Sequence, residues 1–80
     1  MALRLVFLGR LEDAAGGAER SVATAASLGA LFSSLEPELA ATLQAERIKL
    51  ALNGVLIAER HSLVLKDGDE LAFLPPVSGG

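Results

Sequence analysis

Apolar residues alternate with others from the start of the chain: Leu3, Leu5 and Phe7 fall on one side of an extended segment, and Arg4, Val6 and Leu8 on the other. A period of two marks a strand, here over Ala2–Gly9. Both sides carry apolar residues, so neither is a plain solvent face. Arg10–Gly17 contains Glu12, Asp13 and the pair Gly16-Gly17, and reads as a loop with room for one helical turn. Ala18–Ala23 has a single strong apolar residue, Val22, which suits a strand at a sheet edge.

The period then lengthens. Leu28, Leu31, Phe32 and Leu35 sit at i, i+3, i+4 and i+7, one face of a helix. Ser27 directly precedes them, and its hydroxyl can cap an early backbone N–H. Gly29 costs this helix about 1 kcal/mol relative to Ala. Pro37 lacks the N–H that a helix interior needs, so the first helix ends near Leu35. The same proline suits the first position of a second short helix, with Leu39 and Leu43 on its buried side.

Alternation returns with Ile48, Leu50 and Leu52 set between Lys49 and Ala51. Asn53-Gly54 is a strong hairpin signal, because both residues tolerate φ > 0 in a type I′ turn. Val55–Ala58 runs back as the partner strand. Leu63 and Leu65 lead into a turn at Lys66-Asp67-Gly68-Asp69, followed by a strand over Leu71–Leu74. Pro75-Pro76 ends it by removing ladder donors. Strands, helices and strands, with neither linker nor repeat, predict one α+β domain over residues 1–80, its helices packed on one face of the sheet. If Leu3, Leu5 and Phe7 face the helices, so do Leu71 and Phe73. The opposite face then presents Val6, Leu8, Leu56 and Leu74. Eighty residues are too few to cover both faces, and an exposed apolar patch marks a partner surface.

Composition narrows the chemistry more than it changes the architecture. The chain is 51% hydrophobic and 21% charged, which excludes a disordered segment. It has no cysteine, which removes a disulfide framework, a zinc ribbon and a catalytic thiol together. One histidine, His61, cannot supply a multi-histidine metal site and reads as a surface residue. A net charge of −3 with scattered Lys49 and Lys66 argues against nucleic acid as a partner. Gly16-Gly17 has neither the spacing nor the lysine of a phosphate loop. Asp67, Asp69 and Glu70 read as a solvated turn without the twelve-residue calcium-loop pattern, although such charges can steer a basic partner. Glu12, Asp13 and Arg10 read as solvated loop. The apolar start is interrupted by Arg4 and lacks a basic flank, and no window approaches the roughly 20 apolar residues of a membrane span. The expected location is cytoplasmic, with no membrane partner and no metal.

The chain ends Asp67-Gly68-Asp69-Glu70-Leu71-Ala72-Phe73-Leu74-Pro75-Pro76-Val77-Ser78-Gly79-Gly80. Gly-Asp-Glu, an apolar strand and then Pro-Pro-Val-Ser-Gly-Gly resembles the small subunit of molybdopterin synthase. That family comprises ubiquitin-like β-grasp sulfur carriers in molybdenum cofactor biosynthesis, and the likeness runs the length of the chain. The resemblance implies a β-grasp domain with residues 75–80 as an exposed tail. It also implies a mechanism. The Gly80 carboxylate, with a reference pKa near ~3.3–3.7, is an anion at neutral pH and a poor electrophile. An adenylyltransferase similar to ubiquitin-activating enzymes would consume ATP to make an acyl-adenylate. Sulfur would replace AMP, leaving a thiocarboxylate on Gly80. Within the large synthase subunit that group would donate sulfur to cyclic pyranopterin monophosphate, two transfers building the dithiolene of molybdopterin. By the same resemblance the large subunit supplies the catalytic side chains, the carrier holds no permanent cofactor, and two small and two large subunits form a heterotetramer.

The physical chemistry of the tail suits this scheme. Gly79 and Gly80 have no Cβ and can thread a narrow channel. Pro75 and Pro76 stiffen the exit from the sheet, with Val77 and Ser78 between them and the glycines, and lower the entropy lost on insertion. Val6, Leu8, Leu56 and Leu74 would form the docking surface for the large subunit and the activating enzyme in turn. Three other readings stay open: a carrier of the same fold serving thiamine, cysteine or tRNA thiolation, a modifier joined to target lysines by isopeptide bonds, and a non-catalytic ubiquitin-like interaction module.

Overall fold

The alternating segments become strands of one sheet in the computed structural model, which describes residues 2–45 and 47–76 and, of His61, the backbone alone. In chain order the elements are β1 (Ala2–Phe7), α1 (Leu11–Ala15), β2 (Glu19–Ala23), α2 (Leu28–Ser33), α3 (Pro37–Gln44), β3 (Lys49–Leu52), β4 (Val55–Leu56), a 3-10 turn (Arg60–Ser62) and β5 (Glu70–Leu74). The strands lie in the order β2-β1-β5-β3-β4. The first and last strands are thus central neighbours and run parallel, with Leu5 beside Leu71 and Phe7 beside Phe73. The other pairings are antiparallel. This is the expected α+β class, and β2 takes the edge position that its weak pattern suggests.

One core fills the space between sheet and helices. Leu3, Leu5 and Phe7 of β1, Leu50 of β3, and Leu71 and Phe73 of β5 are buried on the inner face. Leu28 and Leu31 of α2 and Leu39 and Leu43 of α3 meet them from the other side. The rings of Phe7 and Phe73 stack with centroids 5.6 Å apart, and Phe32 tilts against Phe73 at 6.3 Å. Among the described residues the buried set contains no polar or charged side chain. Burial of this kind supplies about 1.5–3 kcal/mol per large aliphatic side chain, so the core carries the stability of the fold.

Local signals act as their chemistry suggests. The Ser27 hydroxyl accepts from the Ala30 N–H at 3.2 Å and opens α2. Pro37 is the first residue of α3. Asn53 and Gly54 have φ of 50° and 87°, the two positive values that a type I′ turn requires.

Several boundaries differ from the sequence reading. β1 stops at Phe7 rather than Gly9, because Gly9 takes φ +55 and turns the chain into α1. The helical turn for which the Arg10–Gly17 segment has room is present as Leu11–Ala15, closed by Gly16 in a left-handed conformation. Its apolar anchors Leu11 and Ala15 are too few to announce a helix by periodicity. β4 ends at Leu56, not Ala58: Ile57 still donates to the Leu50 carbonyl at 2.9 Å, but its side chain packs against the core and pulls the chain off the sheet edge. The chain then forms the 3-10 turn, which no periodic pattern marks. There Arg60 donates to the carbonyls of Gln44 and Ala45 at the C-terminal end of α3, where helix acceptors lack intrahelical partners, and to that of Ile48 just before β3.

Candidate docking face and tail exit

Strand register decides which residues share the outer face. Val6 lies beside Ala72, Ala72 beside Ala51, and Ala51 beside Leu56. These four make a row across β1, β5, β3 and β4. Leu74, two residues beyond Ala72, lies beside Lys49. Leu8 continues the alternation past Phe7, and its N–H donates to the Phe73 carbonyl at 3.1 Å. The four residues singled out from the sequence, Val6, Leu8, Leu56 and Leu74, therefore come together on one side of the sheet, although 68 positions separate the first from the last. Leu56 is 67% exposed and Leu8 41%, while Val6 and Leu74 are half-buried.

Two further members were missed as site residues. Ala51 and Ala72 sit at the centre of the row, and their short side chains make a floor lower than the surrounding valine and leucines. A signal for both was present. Each alternates with inward leucines or phenylalanine, Leu50 and Leu52 in one strand and Leu71 and Phe73 in the other, so neither could face the core.

Charge frames the patch unevenly. At the end away from the tail, the Arg4 guanidinium reaches Glu19 at 2.6 Å and Glu70 at 3.7 Å. The tail-side end carries Lys49, exposed beside Leu74. The acidic turn is committed to structure. Asp69 accepts from the Asn53 side chain at 3.0 Å and from the Lys66 N–H at 2.9 Å, and these hydrogen bonds, the Asn53 one foremost, hold its carboxyl below the usual aspartate range. Asn53 in turn accepts from the Glu70 N–H at 2.9 Å. Among the described residues no group of acidic or histidine side chains is arranged to hold a metal ion, and no helix is long and apolar enough to cross a membrane.

The chain leaves the sheet at the tail-side end of the patch. Pro75 and Pro76 follow β5 directly and are half-buried. Val77, Ser78, Gly79 and Gly80 lie outside the described residues. A cleft of about 310 Å³ opens elsewhere, between the start of α2 and the 3-10 turn, lined in part by Leu28, Phe32, Leu63 and Arg60. It belongs to the helix side and shares no residue with the outer patch.

Comparison with known proteins places this arrangement. The sequence matches the ThiS family over residues 5–80. The chain belongs to the ThiS family. It is a ubiquitin-like β-grasp protein of sulfur-carrier type, and solved structures share the fold along its length. A solution structure of small archaeal modifier protein 1 from Methanosarcina acetivorans matches with a TM-score of 0.79 and 27% identity, covering 99% of this chain and 96% of that one. The protein complex of subunits 1 and 2 of molybdopterin-converting factor from Helicobacter pylori contains a chain matching at 0.71 and 29%, with both chains covered in full, 100% and 100%. The crystal structure of the Haloferax volcanii modifier SAMP1 matches at 0.74 and 26%, again with 100% of each chain covered. No curated protein matches the sequence.

Proposed function

We propose that this ThiS-family chain carries sulfur for molybdenum cofactor biosynthesis as the small subunit of a molybdopterin synthase. The observation that carries the reading is the apolar outer face, Val6, Leu8, Ala51, Leu56, Ala72 and Leu74, running without a break into the strand that leads to Pro75-Pro76-Val77-Ser78-Gly79-Gly80. A surface of this kind binds a partner, and the tail beside it delivers a reactive end to that partner's active site. The Helicobacter pylori match, a subunit 1 found in complex with subunit 2, supports a large-subunit partner for this face.

The chemistry follows from the last residue. The Gly80 carboxylate attacks the α-phosphorus of ATP on an adenylyltransferase, releasing pyrophosphate and leaving an acyl-adenylate. Hydrosulfide from the sulfur donor then adds to the acyl carbon and AMP departs, giving a thiocarboxylate. Docked on the large subunit, the tail presents that sulfur to cyclic pyranopterin monophosphate, where it attacks an electrophilic carbon and displaces an oxygen leaving group; water then cleaves the acyl–sulfur bond, leaving sulfur on the pterin and returning the Gly80 carboxylate. The carrier contributes the sulfur and its aim. Side chains of the partner contribute acid–base catalysis, so the lack of a catalytic constellation here is consistent with the role.

The test is intact-mass measurement after incubation with the adenylyltransferase, ATP and a sulfur donor, followed by addition of the large subunit and pterin precursor. Replacement of one Gly80 oxygen by sulfur, and its loss as molybdopterin forms, is the expected result. Absence of any mass change under conditions that load a control carrier rejects the proposal. A second reading, conjugation to target lysines, draws support from the similarity to small archaeal modifier proteins. It predicts stable isopeptide adducts in the same experiment instead of a thiocarboxylate consumed by the pterin.

A further inference from the structure

Gly9 occupies a point where three parts of the fold meet. The preceding Leu8 N–H donates to the Phe73 carbonyl of β5 at 3.1 Å. The Leu8 and Gly9 carbonyls accept from Leu11 and Glu12 at 3.1 and 3.2 Å, opening α1. The Gly9 backbone is thus pinned between sheet and helix, with φ +55. Against it packs the ring of Pro75, the first residue after β5. A Cβ placed on Gly9 would lie 3.0 Å from Pro75 Cγ and 3.8 Å from Cδ. The first of these is tighter than nearly all side-chain contacts, so any other residue at position 9 requires Pro75 Cγ to give by a few tenths of an ångström.

We propose that Gly9 is a positioning residue, a backbone seat for the Pro75 ring that sets the direction in which the tail leaves the domain; this inference rests on the carrier reading above. Pro76 follows directly and its own ring fixes its φ, so a tilt at Pro75 is carried into the start of the tail. Misplacement of a reacting group by about 1 Å can cost about a hundredfold in rate. The docking patch itself does not involve the Gly9–Pro75 contact, so aim and affinity are separable.

A cycle of Gly9→Ala, Pro75→Ala and the double variant separates aim from folding. Each carrier is loaded as the thiocarboxylate and reacted in single turnovers with the large synthase subunit and the pterin precursor. Gly9→Ala is expected to lower the maximal transfer rate at least tenfold while the half-saturating carrier concentration stays within twofold. In the Pro75→Ala background, where Cγ and Cδ are gone, Gly9→Ala is expected to cost little more. Backbone strain at φ +55 is common to both backgrounds, so a purely structural role would show equal losses in both and overturns the proposal, as does a wild-type maximal rate in Gly9→Ala. Should Gly9→Ala fail to fold, Gly9→Asn carries the same Cβ and tolerates the left-handed backbone. If the wild-type chain takes up no sulfur, the carrier reading fails. The seat is then decided by Cα–Hα residual dipolar couplings of Pro75 and Pro76 in the free protein. Those of both residues must change in Gly9→Ala, and those of Pro76 must not change between Pro75→Ala and the double variant; couplings unchanged in Gly9→Ala overturn it.

Discussion

Asn53 joins two turns through one side chain. Its amide donates to Asp69 and accepts from the Glu70 N–H, while its own backbone N–H donates to the Glu70 carbonyl at 2.8 Å. It does this from a left-handed conformation, φ 50°. Asn53→Ala should lose both side-chain bonds and meet a backbone penalty, destabilising the domain by about 1–2 kcal/mol, read as a lower urea midpoint. Asp69 also links stability to pH, as does Glu36, whose carboxyl is held below the ordinary glutamate range chiefly by the Arg20 hydrogen bonds at 2.7 and 3.3 Å. A carboxyl with a depressed pKa in the folded state binds fewer protons there than when unfolded. Its stabilisation is complete above the ordinary carboxylate range and is lost as pH falls through the depressed value. The urea midpoint should therefore fall as pH drops below about 5, and fall less in Asn53→Ala, which has already lost the main support of Asp69. An equal pH response in that variant and the wild type would contradict this account.

Among the elements, α2 shows how position within a helix alters the cost of a residue. Gly29 is second in a helix of six residues, where the backbone is less constrained than in a helix interior. A Cβ there meets nothing closer than Ser27 Oγ at 4.0 Å. Gly29→Ala should stabilise the domain by about 0.5 kcal/mol, below the value for a helix interior, with a rise in thermal midpoint as the readout. The elements that periodicity revealed, β1, α2, α3, β3 and β5, are those with repeated inward apolar residues or a strong start signal. Those it missed or misplaced rest on other forces. α1 is held by two buried residues and a left-handed glycine, and the 3-10 turn by an arginine reaching carbonyls of α3 and the loop before β3. No short window of sequence contains both partners of the arginine contacts.

At the scale of the molecule, the outer face carries the functional argument. Leu56 is 67% exposed, so Leu56→Asp should leave the unfolding midpoint nearly unchanged. Binding to the large subunit should weaken at least tenfold, about 1.4 kcal/mol or more, because a charge would be desolvated without a partner. Unchanged affinity in a calorimetric titration would reject this face as the interface. Leu74→Asp should weaken binding similarly, but Leu74 is half-buried and its effect on stability must be measured alongside.

The sequence alone determined the class of the fold, because alternation and helical spacing are local properties that a single chain displays. It also limited the side-chain chemistry available, since the chain has no cysteine and one histidine. The tertiary structure decided how the candidate residues combine. Parallel pairing of the first and last strands, which sequence proximity cannot reveal, set Val6 beside Ala72 and brought Leu8 to the end of the sheet where Pro75 emerges. It also seated Pro75 on Gly9, two residues 66 positions apart. A seat of that kind has a tolerance of a few tenths of an ångström, and so fine a fit is set only when the whole core is packed.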